Sequence, residues 1–438
     1  MFIKNNKASP VPNILRCLIN SSQFSIERNK YGANMSSFTS PKPTPPTAIP
    51  LMEILLNIPS LFPMPLKESW KDYKIFHDDV DKFQTGLLST LPFFPSAADG
   101  KIGEIIRTPV DEEGNYINEF CIRPNSPPVN PKDSKMHHLI FVHGYGAGLG
   151  FFLKNFENIK LLNNSWTIHA IDFPGYGFSS RPKFPFSINK NTASEVENWF
   201  HDRFEIWLQK RGLLEDQERN LVLAHSLGAY LIALYAQSRP KHLKKLIMCS
   251  PAGICPSNKV IKQPPWWFVK LWDRNLSPFS LVRNSGIFGS KLTSGWSFRR
   301  FKQFLNEGTM GESQFQALHR YAYAIFNKPG SGEYLLSFVL KCGGDPRSPL
   351  LSRLFNSQAA DSFKAQCDWL WMYGDQDWMD CKGGEQASDF IVRHIGKESN
   401  VHVIPQSGHH LYLDNYSVFN ELLQAEMAKM SGLHTTQP

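Results

Sequence analysis

Residues 220–236 read NLVLAHSLGAYLIALYA, and they contain the most informative turn in this chain. The apolar residues before the turn predict a buried strand, and those after it predict an apolar helix. Between them, residues 224–228 read Ala-His-Ser-Leu-Gly, a small-x-Ser-x-Gly pattern with alanine where glycine is more usual. Small residues on both sides of a serine allow a sharp turn that presents the hydroxyl in a strained backbone position. The pattern predicts that Ser226 is a nucleophile.

A glycine-rich turn precedes this stretch and follows an apolar strand of its own at residues 139–142. It reads His-Gly-Tyr-Gly-Ala-Gly over residues 143–148, and such turns expose backbone N–H groups. We predict that the N–H groups of Tyr145 and Leu227 form an oxyanion hole beside Ser226. A phosphate-binding loop is the rival interpretation, but the Gly-Lys-Ser/Thr sequence that it requires does not follow.

The acid partner of such a serine is expected after a later strand, and residues 369–373 (WLWMY) predict that strand. Two carboxylates follow it, those of Asp375 and Asp377. We prefer Asp377, because the Gly-x-x-Asp spacing lets the chain leave the strand before the acid points inward. Asp375 remains the alternative.

The base is expected last in the chain, after one more strand, and residues 400–404 (NVHVI) predict it. Two adjacent histidines stand in the loop that follows. We prefer His409, directly after a glycine, over His410. In such a triad the histidine removes the serine proton, while the acid fixes the histidine tautomer and stabilises the imidazolium.

Strands and amphipathic helices alternate from residue 138 onward, which predicts a mainly parallel sheet covered on both faces. Together with the serine turn, this alternation predicts the α/β-hydrolase fold. The alternation stops after Pro251, and the long segment before residue 369 predicts an inserted, mainly helical cap. The predicted divisions are a leader and proline-rich linker at 1–50, the first part of the core at 51–253 with leading helices at 51–96, the cap at 254–365, and the rest of the core at 366–438.

The composition is that of a globular protein with an excess of basic residues, 47 Lys and Arg against 39 Asp and Glu, for a net charge of +8. The sequence has no zinc-ligand spacing and no RNA-binding signature, which argues against a nucleic-acid partner. Attraction to an anionic membrane surface is favoured, with a mildly basic soluble enzyme as the alternative. No apolar run approaches the roughly 18 to 20 residues of a spanning helix, so we expect peripheral association.

The seven cysteines are scattered along the chain and never form a C-x-x-C pair. This usage argues against a disulfide framework or a structural zinc site and indicates a thiol-reducing compartment. The chemistry predicted above requires no metal and no organic cofactor. The sequence leaves the oligomeric state open.

The first 50 residues contain six Lys or Arg but the single acid Glu27, with many Ser and Asn. A basic, hydroxyl-rich and nearly acid-free N-terminus is typical of a mitochondrial transit peptide, and an ordinary tail is the alternative. The proline-rich run at residues 41–47 predicts a stiff linker after it.

Four motifs together resemble one branch of the α/β-hydrolases, the lysophospholipases and acyltransferases that include lipase coactivators of lipid droplets and fungal mitochondrial cardiolipin deacylases. The most specific of them is an H-x-x-x-x-D pattern, for which an acyltransferase role has been proposed in the family. The motifs are HGYGAGLGFF at 143–152, FPGYGFSSRP at 173–182, AHSLG at 224–228, and HHLYLD from His409 to Asp414.

The resemblance implies a phospholipid substrate, with cardiolipin favoured, that is deacylated through an acyl-serine intermediate at the mitochondrial inner membrane. It also admits an acyl-CoA-dependent lysophospholipid acyltransferase or a catalytically idle lipase coactivator, and a small-ester or peptide hydrolase is a further alternative. Asp414 is either a helix-start residue or a residue with a catalytic or structural role beside His409.

The predicted cap combines basic and aromatic residues between Lys259 and Lys302, with Asp273 as the one acid among them. Such a mixture suits a surface at the headgroup level of an anionic bilayer. The alternative is a cap whose aromatic side chains pack on the core. The residues predicted to face the membrane are Trp266, Trp267, Lys270, Trp272, Arg299 and Arg300.

Overall fold

The computed structural model describes residues 60–129, 135–256, 265–274 and 277–433. The predicted transit peptide and linker lie outside these residues. For Trp267 only the backbone is described.

Eight strands form a single sheet in the order β1-β2-β4-β3-β5-β6-β7-β8. Strand β2 pairs antiparallel with both β1 and β4, and every pairing from β4 to β8 is parallel. The mainly parallel sheet is therefore confirmed. The strands are β1 Lys101–Pro109, β2 Tyr116–Pro124, β3 His137–Val142, β4 Trp166–Asp172, β5 Asn220–His225, β6 Lys245–Cys249, β7 Asp368–Gly374 and β8 Ser399–Ile404.

Helices cover both faces of the sheet and fill the long insertion between β6 and β7, as the sequence predicts. Short 3-10 turns and one π-helical turn, Ile391–Ile395, join them. The α-helices are α1 Leu66–Asp78, α2 Asp81–Leu88, α3 Leu153–Asn158, α4 Ala193–Lys210, α5 Leu227–Ser238, α6 Trp266–Asp273, α7 Phe279–Arg283, α8 Gly289–Arg300, α9 Gly308–Asn327, α10 Leu335–Val339, α11 Leu350–Arg353, α12 Lys382–Phe390, α13 Leu411–Asp414 and α14 Tyr416–Met430.

Strand β3 shows why its sequence is apolar at successive positions. Leu139 and Phe141 face one core cluster, which includes residues of α14, and Ile140 and Val142 face the other, which includes α4 and α5. Side chains alternate between the faces of a strand, so a strand covered on both faces needs apolar residues at every position. The C-terminal ends of the parallel strands meet at one edge, where the loops carry the candidate site.

The two leading helices differ in their packing. Helix α2 contributes to the core through Phe83 and Leu87, and the Phe83 ring also lies 5.9 Å from that of Tyr323 in the insertion. Helix α1 instead packs on the insertion: the hydroxyl of Ser69 donates to the carbonyl of Ile287 at 2.6 Å, and Asp72 accepts from Ser290 at 2.6 Å. The predicted assignment of the whole leading segment to the core is corrected for α1, because its buried polar groups find their partners in the insertion. Among the described helices, none has the length and apolar character needed to cross a bilayer.

Candidate active site

Ser226 stands between β5 and α5 with φ 51° and ψ −117°, a region that side chains other than glycine rarely adopt. Its N–H donates to the carbonyl of Cys249 at 2.9 Å, which fixes the turn to the neighbouring strand β6. Gly228 is required next to it, because a Cβ there would lie 2.3 Å from the carbonyl oxygen of His143. The strained turn predicted from the small-x-Ser-x-Gly pattern is thus present.

His409 lies directly over this serine. Its Nε2 is 3.0 Å from the Ser226 hydroxyl oxygen, and the side chain is 14% exposed. The ring of the neighbouring His410 lies 5.2 Å from that of His225 and 6.4 Å from that of Phe151, and it has no hydrogen bond to Ser226 within the described residues. Burial there lowers the pKa of His410 well below its usual value. The structure therefore brings together the preferred histidine and the serine, and places the alternative one elsewhere.

Asp377 completes the hydrogen-bonded chain. Its Oδ1 lies 3.2 Å from Nδ1 of His409 and also accepts the N–H of Met379 at 3.0 Å. Burial alone would raise the pKa of the Asp377 carboxyl, but the charge and the hydrogen bond of His409 outweigh it and lower that pKa. With Nδ1–H donating to this carboxylate, Nε2 is left to accept the serine proton.

The other candidate acid, Asp375, contacts the backbone of the histidine loop. Its Oδ1 accepts the N–H of Ser407 at 3.0 Å, so it braces the start of the loop that carries His409. Gly374 allows that loop to pass close by, since a Cβ there would lie 2.1 Å from the carbonyl oxygen of Ser407. Asp375 is thus a support of the histidine loop, while Asp377 faces the histidine.

The N–H groups of Tyr145 and Leu227, predicted to form an oxyanion hole, belong to the peptide after Gly144 and to the residue after the serine. The carbonyl of Gly144 accepts from Nδ1 of His143 at 2.8 Å, and the opposite side of that planar peptide carries the Tyr145 N–H. Gly144 lies against the serine, because a Cβ on it would be 2.8 Å from Cβ of Ser226. The Leu227 N–H is the first of helix α5. Within the described part of the chain, neither N–H has a hydrogen-bond acceptor.

Asp172 shapes the floor beneath these turns. This fully buried carboxylate accepts the N–H groups of Leu149 and Phe178, each at 2.8 Å, and the side-chain amide of Asn118 at 2.9 Å. It therefore fixes the glycine-rich turn to the Phe-Pro-Gly-Tyr-Gly-Phe loop. A Cβ on Gly177, which has φ 47°, would lie 2.1 Å from this carboxyl group, so the loop needs glycine there.

Two residues of the site are missing from the sequence prediction. His225 donates from Nε2 to the carbonyl of His409 at 2.8 Å, and Trp378 places its ring 5.0 Å from the His409 ring. No sequence signal marks His225, because it occupies the free position of the small-x-Ser-x-Gly pattern. Trp378 is half exposed and directly follows the acid, a position that could have indicated it.

The residues predicted to face a membrane divide into three groups. Trp266 is 71% exposed, and Nζ of Lys270 lies 4.9 Å from its ring centre. The prediction is wrong for Trp272 and Arg300, because the polar groups of both have partners within the protein. The indole N–H of Trp272 donates to the carbonyl of Leu340 at 3.3 Å, and Arg300 donates to the carbonyl of His410 in the histidine loop. Arg299 is half-buried.

Among the described residues, one group of buried side chains has the donor types and closeness of a metal site, Glu119, Cys121 and His169 on β2 and β4. Nδ1 of His169 lies 2.7 Å from Glu119, and Nε of Arg211 lies 2.9 Å from the other oxygen of that carboxylate. A cation would have to displace these partners and stand beside a guanidinium. The group is therefore accounted for as a buried ion-pair network.

The chain is similar to known proteins in its sequence and in its fold. The sequence profile of the family described as alpha/beta hydrolase fold matches residues 137–416. A 1-acylglycerol-3-phosphate O-acyltransferase of Arabidopsis thaliana is 32% identical over 290 residues, 63% of either chain. A (lyso)-N-acylphosphatidylethanolamine lipase of Homo sapiens is 26% identical over 309 residues, 68% of this chain and 80% of the relative. The structure of a naproxen esterase from Bacillus subtilis covers 79% of this chain and 96% of its own, with a TM-score of 0.48 and 16% identity.

The match with the rice and Arabidopsis acyltransferase relatives spans 65% and 63% of their lengths, just under two thirds. The family profile, in contrast, covers more than half of this chain, including the serine turn, the acid and the histidine loop. The chain therefore belongs to the α/β-hydrolase fold family.

Proposed function

We propose that this protein is a serine hydrolase that deacylates a glycerophospholipid, with cardiolipin as the favoured substrate, at the mitochondrial inner membrane. The observation that carries the hydrolase function is the hydrogen-bonded chain from Ser226 through His409 to Asp377, at 3.0 and 3.2 Å. The fold and the relatives support a phospholipid-related ester hydrolase. Cardiolipin and the mitochondrion rest on the sequence resemblance and the basic N-terminus alone.

In the first half of the reaction, the Ser226 hydroxyl passes its proton to Nε2 of His409 as its oxygen attacks the ester carbonyl carbon. The carbonyl oxygen becomes an oxyanion and accepts the N–H groups of Tyr145 and Leu227. The imidazolium is stabilised by Asp377. When the ester C–O bond breaks, His409 returns the proton to the leaving lysophospholipid oxygen, and the acyl group stays on the serine.

In the second half, water takes the place of the lysophospholipid. It gives a proton to Nε2 of His409 while its oxygen attacks the acyl-serine carbonyl, and the same two N–H groups bind the second oxyanion. Collapse releases the fatty acid and restores the Ser226 hydroxyl. If a lipid hydroxyl replaces the water, the same residues carry out acyl transfer, so the geometry of the triad serves both outcomes.

The lipid substrate is supported by the relatives and by the surface. Their names specify 1-acylglycerol-3-phosphate and N-acylphosphatidylethanolamine, both of which are glycerophospholipids. Trp266 with Lys270 on α6, and Trp70 with Lys74 on α1, each place a lysine ammonium against an exposed indole, at 4.9 and 3.8 Å. Trp and Lys together suit the headgroup level of an anionic bilayer.

Fatty acid release from vesicles tests this function. The purified protein is incubated with cardiolipin or phosphatidylcholine vesicles, beside Ser226→Ala as the matched control. We expect release that favours cardiolipin and disappears in the variant. Equal release by the two proteins contradicts the acyl-serine mechanism, and equal release from the two lipids contradicts the substrate preference.

Acyl transfer is the second candidate, favoured by the name of the Arabidopsis relative. Labelled acyl-CoA with lysophosphatidic acid gives labelled phosphatidic acid if the chain is an acyltransferase, and free labelled fatty acid if water is the acceptor. A catalytically idle coactivator remains as the third reading, and failure of a fluorophosphonate probe to label Ser226 would favour it. A small-ester or peptide hydrolase is favoured instead if the protein does not bind vesicles.

A further inference from the structure

Asp414 ends the H-x-x-x-x-D pattern, and its carboxylate lies between two groups. Oδ2 accepts the N–H of Gly408 at 3.0 Å, and Oδ1 lies 2.7 Å from Nη1 of Arg300. Gly408 directly precedes His409, so Asp414 holds the peptide next to the candidate base. Helix α13 makes this contact possible, because its single turn returns residue 414 to the level of His410, whose carbonyl accepts the Asp414 N–H at 3.0 Å.

Arg300 comes from the insertion, at the last residue of helix α8. Besides its ion pair with Asp414, it donates from Nη2 to the carbonyl of His410, at a longer 3.4 Å. The side chains of Arg300 and Asp414 are 15% and 21% exposed. An ion pair so largely shielded from water is stronger than one on the open surface. The insertion therefore holds the histidine loop on both sides of His409.

Besides Arg300, the side chains of Asp375, His225 and Asp414 hold the peptides of residues 407 to 409, and they differ in origin. Asp375, directly after β7, accepts from the N–H of Ser407, and His225, the last residue of β5, donates to the carbonyl of His409; both belong to the core. Of the three, only the Asp414 contact continues through Arg300 into the insertion. A displacement of helix α8 would thus be transmitted to the loop through this pair.

We propose that Asp414 and Arg300 are positioning residues that tie the place of His409 to the place of the insertion. Within the described residues, the Asp414 side chain has no hydrogen bond to Ser226 or to the His409 ring, and both of its oxygens are occupied. The aspartate of the H-x-x-x-x-D pattern then serves the geometry of the base and takes no chemical part in acyl transfer. This inference rests on the proposed function, since it takes His409 as the base.

Kinetics on a small soluble ester, p-nitrophenyl butyrate, test the pair without involving lipid binding. The full chain is compared with Asp414→Ala, Arg300→Met and the double variant. Arg299→Met is the matched control, because Arg299 lies on the same helical turn and makes no hydrogen bond or ion pair within the described ranges. Unfolding midpoints are measured for each protein, together with the partition of the acyl group between water and added glycerol.

We expect kcat to fall about 10- to 100-fold in both single variants, with KM within two-fold of wild type, because a small misplacement of a catalytic group costs this much. The double variant should lose much less than the product of the two single losses, since the two residues act as one unit apart from the longer Arg300 bond to His410. Arg300→Lys should recover part of kcat, and the partition between water and glycerol should not change. Arg299→Met should behave as wild type.

Unchanged kcat in the folded single variants overturns the positioning role of Asp414 and Arg300. A double variant whose loss of kcat equals the product of the two single losses overturns it as well. A selective loss of transfer to glycerol overturns it too, because it makes Asp414 a chemical participant. If Asp414→Ala does not fold, Arg300→Met alone carries the test, since it keeps the Asp414 bond to Gly408.

Labelling by a fluorophosphonate probe separates this inference from the proposed function. A wild type that neither hydrolyses the ester nor takes the probe contradicts the proposed function and, with it, the role of the pair. An active, Ser226-labelled wild type with unaffected pair variants contradicts the pair alone.

Discussion

Nε2 of His225 lies 2.8 Å from the carbonyl oxygen of His409, so the residue before the nucleophile holds the backbone of the base. A carbonyl can only accept, which fixes the proton of His225 on Nε2. Burial lowers the pKa of His225 well below its usual value, so the ring is neutral and gives a single donor in this direction. The turn of the nucleophile and the loop of the base are thereby joined through a side chain that lies outside the Ser226–His409–Asp377 chain.

Replacing His225 by phenylalanine keeps a ring and removes this donor. We expect His225→Phe to lower kcat about 2- to 10-fold with little change in KM, as for the loss of one hydrogen bond of about 1 kcal/mol. Steady-state kinetics on a soluble ester measures it. Tyr412→Phe is the control, because the Tyr412 hydroxyl has no partner among the described residues although its ring lies 5.0 Å from that of His225. Equal losses in both variants would point to packing instead.

The two carboxylates after β7 should respond differently to the same substitution. Asp377→Asn should lower kcat by about 10⁴, because an amide favours the wrong tautomer of His409. Asp375→Asn keeps an oxygen that can accept from Ser407, and we expect a loss of less than about five-fold. Parallel measurements of kcat decide between them. A larger loss of kcat in Asp375→Asn than in Asp377→Asn would make Asp375 the acid of the triad and Asp377 the support of the loop.

Two glycines should respond to alanine with opposite signs. A Cβ at Gly228 would lie 2.3 Å from the carbonyl oxygen of His143, so Gly228→Ala should destabilise the protein by about 1–3 kcal/mol and reduce activity. A Cβ at Gly86, in helix α2, meets nothing within 4 Å, so Gly86→Ala should stabilise by about 0.5–1 kcal/mol. Denaturant unfolding measures both. A stabilising Gly228→Ala would contradict the close packing of α5 on the end of β3.

Membrane binding should depend on the exposed residues of α6. Lys270→Gln should weaken binding to vesicles with anionic lipid about five-fold, since one lysine near such a surface contributes about 1 kcal/mol. Trp266→Ala should weaken it further by removing the exposed indole. Lys160→Gln, an exposed lysine outside the insertion, removes the same charge and serves as control. Co-sedimentation measures binding, and equal losses at Lys270 and Lys160 would leave no special role for α6.

Stability should depend on pH through His169. Burial opposes its protonation, but the neighbouring Cys121 and the hydrogen bond and charge of Glu119 outweigh it and raise its pKa to about 9. A histidine in the unfolded chain titrates near 6.5, so between these values the native state binds more protons. The stabilising contribution is therefore complete below about pH 6.5 and is lost as the pH rises through 9, at up to about 1.4 kcal/mol per pH unit.

Urea unfolding from pH 6 to 9.5 checks this dependence. We expect the free energy of unfolding to fall less steeply with pH in His169→Gln than in wild type. His394→Gln, at an exposed position, should keep the wild-type slope. Identical slopes in all three proteins would mean that His169 is not the titrating group.

Much of the fold could be predicted because its signals are local. The strand at residues 139–142 is apolar at every position because it is covered on both faces, and the strand in the structure, His137–Val142, differs only at its start. The serine turn is equally local, since small residues on either side of Ser226 meet the steric demands of a turn with φ 51°.

The failed predictions concern residues whose partners are distant in the chain. Composition placed Trp272 and Arg300 on a membrane-facing surface, yet Arg300 pairs with Asp414, 114 residues further on. A guanidinium that faces a headgroup and one that faces a partly buried carboxylate look the same in a sequence. Trp266 and Lys270 are likewise a tryptophan and a basic residue of the insertion, yet both are exposed.

The amino-acid order determined the alternation of strands and helices, the turn at Ser226 and the succession of serine, acid and histidine, because each depends on residues near one another in the chain. Tertiary packing decided which acid faces His409, which of two adjacent histidines reaches the serine, and what Asp414 holds. Those choices depend on distances between loops that follow different strands. Such distances arise only when the sheet places the strand ends side by side.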